Sequence, residues 1–106
     1  MLVRLIICIL LLPSYLFAQE LTEVRTYYDV NRQIVKEQYY IKNQDSTLID
    51  GPYIKYFADG RKAVVGAFED GKKSAFFTSY YPDGTLQQTL TFRDGLKDGP
   101  VKVYSE

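Results

Sequence analysis

From residue 24 onward, short runs rich in Tyr, Phe, Val, Ile and Thr alternate with polar positions, and small turn-forming residues interrupt each run. These residue types suit a pleated, half-buried surface. No stretch sustains the 3.6-residue apolar period of an amphipathic helix. The pattern predicts strands at 24–28, 33–41, 52–57, 62–68, 75–81, 86–92 and 100–104. Short connections pair successive strands antiparallel, so the chain reads as all-β, an open elongated meander of about seven strands. One connection is longer: the polar stretch 42–50 reads as a surface loop.

The turns carry a signature. Of the seven glycines, only Gly66 does not follow an aspartate. Asp-Gly is a strong short-range hairpin signal, because Gly takes positive φ without steric cost and Asp bonds the local backbone. The turn-forming pairs between long runs are Asp59-Gly60, Asp70-Gly71, Asp83-Gly84 and Asp94-Gly95.

The turns also repeat. A shift of 24 residues places Tyr56 on Tyr80, Phe57 on Tyr81, Asp59-Gly60 on Asp83-Gly84, Phe68 on Phe92 and Asp70-Gly71 on Asp94-Gly95. Twice that shift places 50–56 on 98–104. A shift of 29 places 27–32 on 56–61, with Asn31 in the position of the turn glycine. The repeats span about 24–50, 51–74 and 75–98, with a closing strand at 99–104. Alternation puts Val24, Thr26, Tyr28, Tyr53, Phe57, Phe77, Tyr81, Val101 and Val103 on one face, and neighbouring runs add Val64, Phe68, Leu90 and Phe92. Tyr27, Tyr56, Tyr80 and Tyr104 fall on the other.

This spacing resembles the bacterial MORN repeat, in particular the variant of the YwqK-type toxin–antitoxin antitoxin family. The residues carrying the resemblance are Gly51, Tyr53, Tyr56, Phe57, Gly60, Phe68, Asp70 and Gly71, then Phe77, Tyr80, Tyr81, Gly84, Phe92, Asp94, Gly95 and Gly99. It covers 50–106 well and 24–49 loosely. Tyr53, Phe77 and Val101 stand where the variant often has Trp, and Ser74-Ala75 replaces the Asp-Gly of the neighbouring copies. The resemblance implies stacked β-hairpins and contact with proteins or membranes, without catalysis. It also implies an antitoxin-like or immunity role as one alternative.

The N-terminus changes the picture of location. Arg4, an apolar run from Leu5 to Leu12, then Pro13, Ser14 and Ala18 have the layout of a secretory signal peptide over 1–18, with cleavage after Ala18. The run is shorter than the ~20 residues a spanning helix needs. The domain then comprises 19–106, and the chain is read as exported, to the periplasm or outer surface of a Gram-negative bacterium. Its one cysteine, Cys8, leaves with the signal, so the domain relies on pairing and packing for stability.

Charge and chemistry narrow the function. The chain carries 13 Lys and Arg against 13 Asp and Glu, so no basic excess points to nucleic acid. It has no His, which removes Ser-His and Cys-His nucleophile pairs and the usual zinc sites. Six of the eight aspartates precede a glycine and are read as turn formers rather than acid–base pairs. Weak calcium binding by turn carboxylates lacks the dense Asp-x-Asp-x-Asp spacing of a calcium loop. No catalytic, cofactor or metal site is expected. The chain is read as a non-catalytic protein-binding or scaffold module of the envelope. Tyr27, Tyr56, Tyr80 and Tyr104 are its candidate partner surface, and the C-terminal strand 100–104 is a candidate edge for strand addition. Attachment to a membrane or glycan through the Tyr-rich face is the alternative.

Overall fold

The computed structural model describes residues 20–99 and 101–104; the signal-peptide reading of 1–18 lies outside them. Nine strands form one antiparallel sheet: β1 (Leu21–Tyr27), β2 (Val35–Lys42), β3 (Asp45–Ile49), β4 (Gly51–Tyr56), β5 (Lys62–Glu69), β6 (Lys72–Tyr80), β7 (Leu86–Arg93), β8 (Leu96–Lys97) and β9 (Lys102–Val103). β3 and β4 both pair with β2, and β8 and β9 both pair with β7, so the nine strands lie in seven rows. The sheet is an open meander, as the alternation of apolar runs and turns predicts.

Four of the six Asp-Gly pairs form turns of two kinds that alternate along the chain. In the wider kind, the Phe57 N–H donates to the Arg61 carbonyl (2.7 Å) and the Gly60 N–H to the Phe57 carbonyl (2.9 Å). Residues 81–85 repeat this, with both bonds at 2.8 Å. The glycines take φ of 91° and 94°. Asp59 and Asp83 accept from the N–H two residues on, each at 2.9 Å. In the narrower kind, both residues are left-handed: Asp70 and Gly71 at 49° and 84°, Asp94 and Gly95 at 52° and 80°. These are two-residue hairpin loops whose twist matches that of the strands.

Two sequence expectations are corrected in the first repeat. Its wide turn is two residues longer, closing with the Tyr28 N–H on the Ile34 carbonyl (2.9 Å), and the left-handed residue is Arg32 (φ 57°) rather than Asn31. The extra length displaces the left-handed position. The Asp29 carboxylate holds it there by accepting from the N–H groups of Gln33 (3.1 Å) and Ile34 (2.9 Å). Nor is 42–50 a loop. Asn43 and Gln44, at 52° and 60°, form a narrow turn without glycine, and β3 follows at once. Asn tolerates this conformation, and the Asn43 N–H is fixed by the Glu20 carbonyl (2.9 Å).

A third left-handed position recurs at a spacing of 24: Gly51 (94°), Ala75 (57°) and Gly99 (85°). It breaks the row between β3 and β4 and between β8 and β9. At Ala75 the strand absorbs it as an irregularity in the β5–β6 register, so β6 starts at Lys72 rather than at the expected 75. Bulges recur as well: Lys36, Ala63 and Gln87 are the extra residues where the register shifts beside the three wide turns.

The sheet is one layer, so its stability comes from neighbouring rows rather than from a second layer. On one face Tyr39, Tyr53, Phe68, Phe77 and Phe92 form an aromatic ladder, with successive ring centroids 6.0, 5.5, 5.4 and 5.5 Å apart. Three of the four contacts are edge-to-face and the fourth, Tyr39 with Tyr53, is stacked, arrangements that suit the ring quadrupole. Gly66 has no side chain because the Phe77 ring lies directly over it. The Lys73 ammonium stands 5.0 Å from the Phe77 centroid and 5.1 Å from that of Phe92. Phe77, Phe92 and Ala63 are the buried apolar side chains among the described residues. Tyr39 is the ladder member that the 24-residue register misses, because it lies in the irregular first repeat.

Candidate functional surface

Register decides which side chains share a face. Arg25, Gln38, Ile54, Val65, Thr78, Thr89 and Lys102 stand directly opposite one another in turn across the whole sheet. This row lies on the face away from the aromatic ladder, and residues two further along belong to the same face.

Tyr27, Tyr56, Tyr80 and Tyr104 follow that row on alternate strands, so their rings are spaced at about two strand separations, ~10 Å, and form a line rather than a stack. Tyr27, Tyr56 and Tyr80 are half-buried and Tyr104 is exposed. The Tyr56 hydroxyl donates to Gln38 Oε1 (3.3 Å). Beside it a cleft of about 460 Å³ is lined by Arg25, Gln38, Tyr56 and Asp59, together with Ile34 and Val35.

The most exposed apolar group within a long strand is Phe76, at 61 %. It faces Thr91 across the ladder and lines a shallow groove with Thr89, Thr91, Lys102 and Tyr104. Strand alternation provides the signal for it: of the adjacent pair Phe76-Phe77, only one can join the aromatic ladder, and Phe77 does. The other is left in water on the tyrosine face.

The two sheet edges differ. At the C-terminal end, β8 and β9 are two residues each. The edge there carries Lys97 and Lys102, features that blunt strand addition. At the other end, β1 runs seven residues without a break.

Charged groups outside these surfaces hold repeats together. Lys42 is buried, with 8 % exposure, and its ammonium bonds the Asp70 carboxylate and lies 3.9 Å from Asp50. The Asp70 bond raises the Lys42 pKa against the opposing effect of burial. Asp50 accepts from the Asp70 N–H (3.1 Å), so the cluster ties the narrow turn of the second repeat to the first. The Tyr53 hydroxyl donates to Glu37 (2.5 Å), and burial together with that carboxylate pushes its pKa well up. No three His, Cys, Asp or Glu side chains are grouped to hold a metal ion among the described residues.

The turn carboxylates of the sequence reading, Asp59, Asp70, Asp83 and Asp94, sit at successive hairpin ends. Asp59 and Asp83 bond their own turns, and Asp70 bonds Lys42. The chain matches no family model and has no significant match among curated proteins or solved structures.

Proposed function

We propose that this chain is an exported, non-catalytic MORN-like repeat protein that serves as a protein-binding or scaffold module in the bacterial envelope. The observation that carries the reading is Phe76. A large aromatic group, 61 % exposed in the middle of a nine-residue strand, lies in a groove with Tyr104 on the tyrosine-lined face. Exposed aromatic groups rimmed by polar ones are the usual anchors of protein interfaces. The export reading rests on the apolar run and small-residue pattern of 1–18.

A photo-crosslinking amino acid in place of Tyr104, in protein expressed in the producing cell from its whole coding sequence, tests this. The expected result is a discrete protein adduct in the envelope fraction that disappears with Phe76→Ser. No protein adduct, with the chain instead sedimenting with liposomes or peptidoglycan, overturns it in favour of membrane or glycan attachment.

A further inference from the structure

Among the described residues β1 is an edge strand, and its sequence is chemically self-complementary. The Glu20 carbonyl accepts from the Asn43 N–H, and the Tyr28 N–H donates to the Ile34 carbonyl, each at 2.9 Å. Both bonds turn even-numbered residues toward β2. Main-chain groups alternate direction along a strand, so Thr22, Val24 and Thr26 also face β2, and Leu21, Glu23, Arg25 and Tyr27 turn their N–H and C=O groups outward. Among the described residues nothing pairs with that side.

Read through Val24, the strand Leu21-Thr22-Glu23-Val24-Arg25-Thr26-Tyr27 is a palindrome in chemical character. We propose that a second copy of this chain pairs with this edge, antiparallel, about a two-fold axis at Val24. Leu21 then faces the partner's Tyr27, and Glu23 faces the partner's Arg25. Thr22 faces the partner's Thr26, and Val24 faces itself. Every cross-strand pair is apolar with apolar, hydroxyl with hydroxyl, or acid with base, combinations that favour pairing. The outward-facing residues fall in the hydrogen-bonded positions, where roughly eight main-chain bonds form. Glu23 and Arg25 already form an ion pair on one face at 2.5 Å, so the dimer doubles that pair into an alternating cluster of four charges.

Charge also selects the register. Sliding by two residues centres the axis on Glu23 or on Arg25, and like charges then stand directly opposite, which is destabilising. Charges on an edge strand usually prevent pairing. Here they permit one partner in one register. The dimer joins two sheets edge to edge and leaves the Phe76 face open, so it goes beyond the binding reading and stands or falls without it.

Sedimentation equilibrium of protein expressed from the whole coding sequence should give twice the chain mass. Glu23→Arg alone, or Arg25→Glu alone, should weaken self-association at least about tenfold by setting like charges opposite. The double reversal E23R/R25E should restore it, and mixing the two single variants should give a one-to-one heterodimer. A change in folding alone yields neither rescue. In a Cys8→Ser background, Val24→Cys should form an intermolecular disulfide, because residues at a non-hydrogen-bonded pair lie ~4.5 Å apart. Thr22→Cys should not, since its own copy lies several residues away. A monomer at all concentrations, a dimer indifferent to the single reversals, or cross-linking through Thr22→Cys and not Val24→Cys overturns the proposal.

Discussion

The Tyr28 hydroxyl donates to the main-chain carbonyl of Tyr56 at 2.6 Å, and the Tyr81 hydroxyl donates to that of Tyr104 at 2.8 Å. Each bond joins the start of one wide turn to the end of the return strand one repeat further on. The middle copy breaks the series, because Phe57 stands where the others have tyrosine.

Phe57→Tyr should therefore supply the missing bond to the Tyr80 carbonyl. Phe57 and Tyr80 already line one depression on the sheet. A net hydrogen bond is worth about 1 kcal/mol, so the urea midpoint should rise, and Tyr81→Phe should lower it by a similar amount. An unchanged midpoint for both variants would mean that these hydroxyls bond water equally well.

Ala75 is the one non-glycine at its repeat position, held at φ 57° where Gly51 and Gly99 take 94° and 85°. A left-handed L-residue costs roughly 1–2 kcal/mol, and glycine loses up to ~1 kcal/mol more chain entropy on folding. Ala75→Gly should be net stabilising by about 0.5 kcal/mol or more in chemical denaturation. A loss of stability would show that the methyl group contributes packing.

Two glycines should fail for different reasons. A side chain at Gly84 meets open space but sits at φ 94°, so Gly84→Ala should cost about 1 kcal/mol through backbone strain. A side chain at Gly66 would lie 2.7 Å from the Phe77 ring, and overpacking of that kind costs ~1–3 kcal/mol. Combining each with Phe77→Leu in a double-mutant cycle separates them. Coupling should appear for Gly66→Ala and be absent for Gly84→Ala.

The acid side of the stability profile follows from the turns. Asp83 is held below the ordinary carboxylate range by the Thr85 hydroxyl and N–H, Asp45 by the same pair of bonds from Thr47, and Asp29 by the N–H groups of Ile34 and Gln33. A depressed folded-state pKa contributes stability above the unfolded value, about 3.9, and loses it as pH falls through the folded value. Melting temperature should decline below about pH 4. Asp83→Asn, measured by thermal melts across that range, should reduce the dependence.

Tyr53 sets the alkaline side. Its raised pKa means that the unfolded chain releases the proton first, near pH 10, so stability present below that pH is lost progressively as pH rises above it. Tyr53→Phe should lower stability at neutral pH through loss of the Glu37 bond and flatten the alkaline decline. An unaltered slope above pH 10 would assign that decline to other tyrosines.

Much of this fold is written in local chemistry. Alternation of Tyr, Phe and Val with polar residues specifies strands, and four of the six Asp-Gly pairs specify hairpins, because both are preferences of single residues for a backbone state or a pleated surface. The 24-residue register therefore correctly relates Gly60 to Gly84 and Phe68 to Phe92. It loses the first repeat, where Asn43-Gln44 turns without glycine and the Asp29 carboxylate lets Arg32 adopt a left-handed conformation. The Asn43 turn is held by a partner far off in the sequence, the Glu20 carbonyl, and the Arg32 conformation by the Asp29 side chain reaching round its own turn. Alternation already separates Phe77 from Phe76; only the assembled sheet decides that Phe77 packs between Phe68 and Phe92, and that Lys42 is buried against Asp70. Those outcomes depend on which strand lies alongside, and on the two extra residues that β6 carries in its register with β5. The palindrome in β1 was present in the sequence throughout. What gives it meaning is tertiary: β1 lies at the end of the strand order, with four residues turned outward and complementary to a copy of themselves.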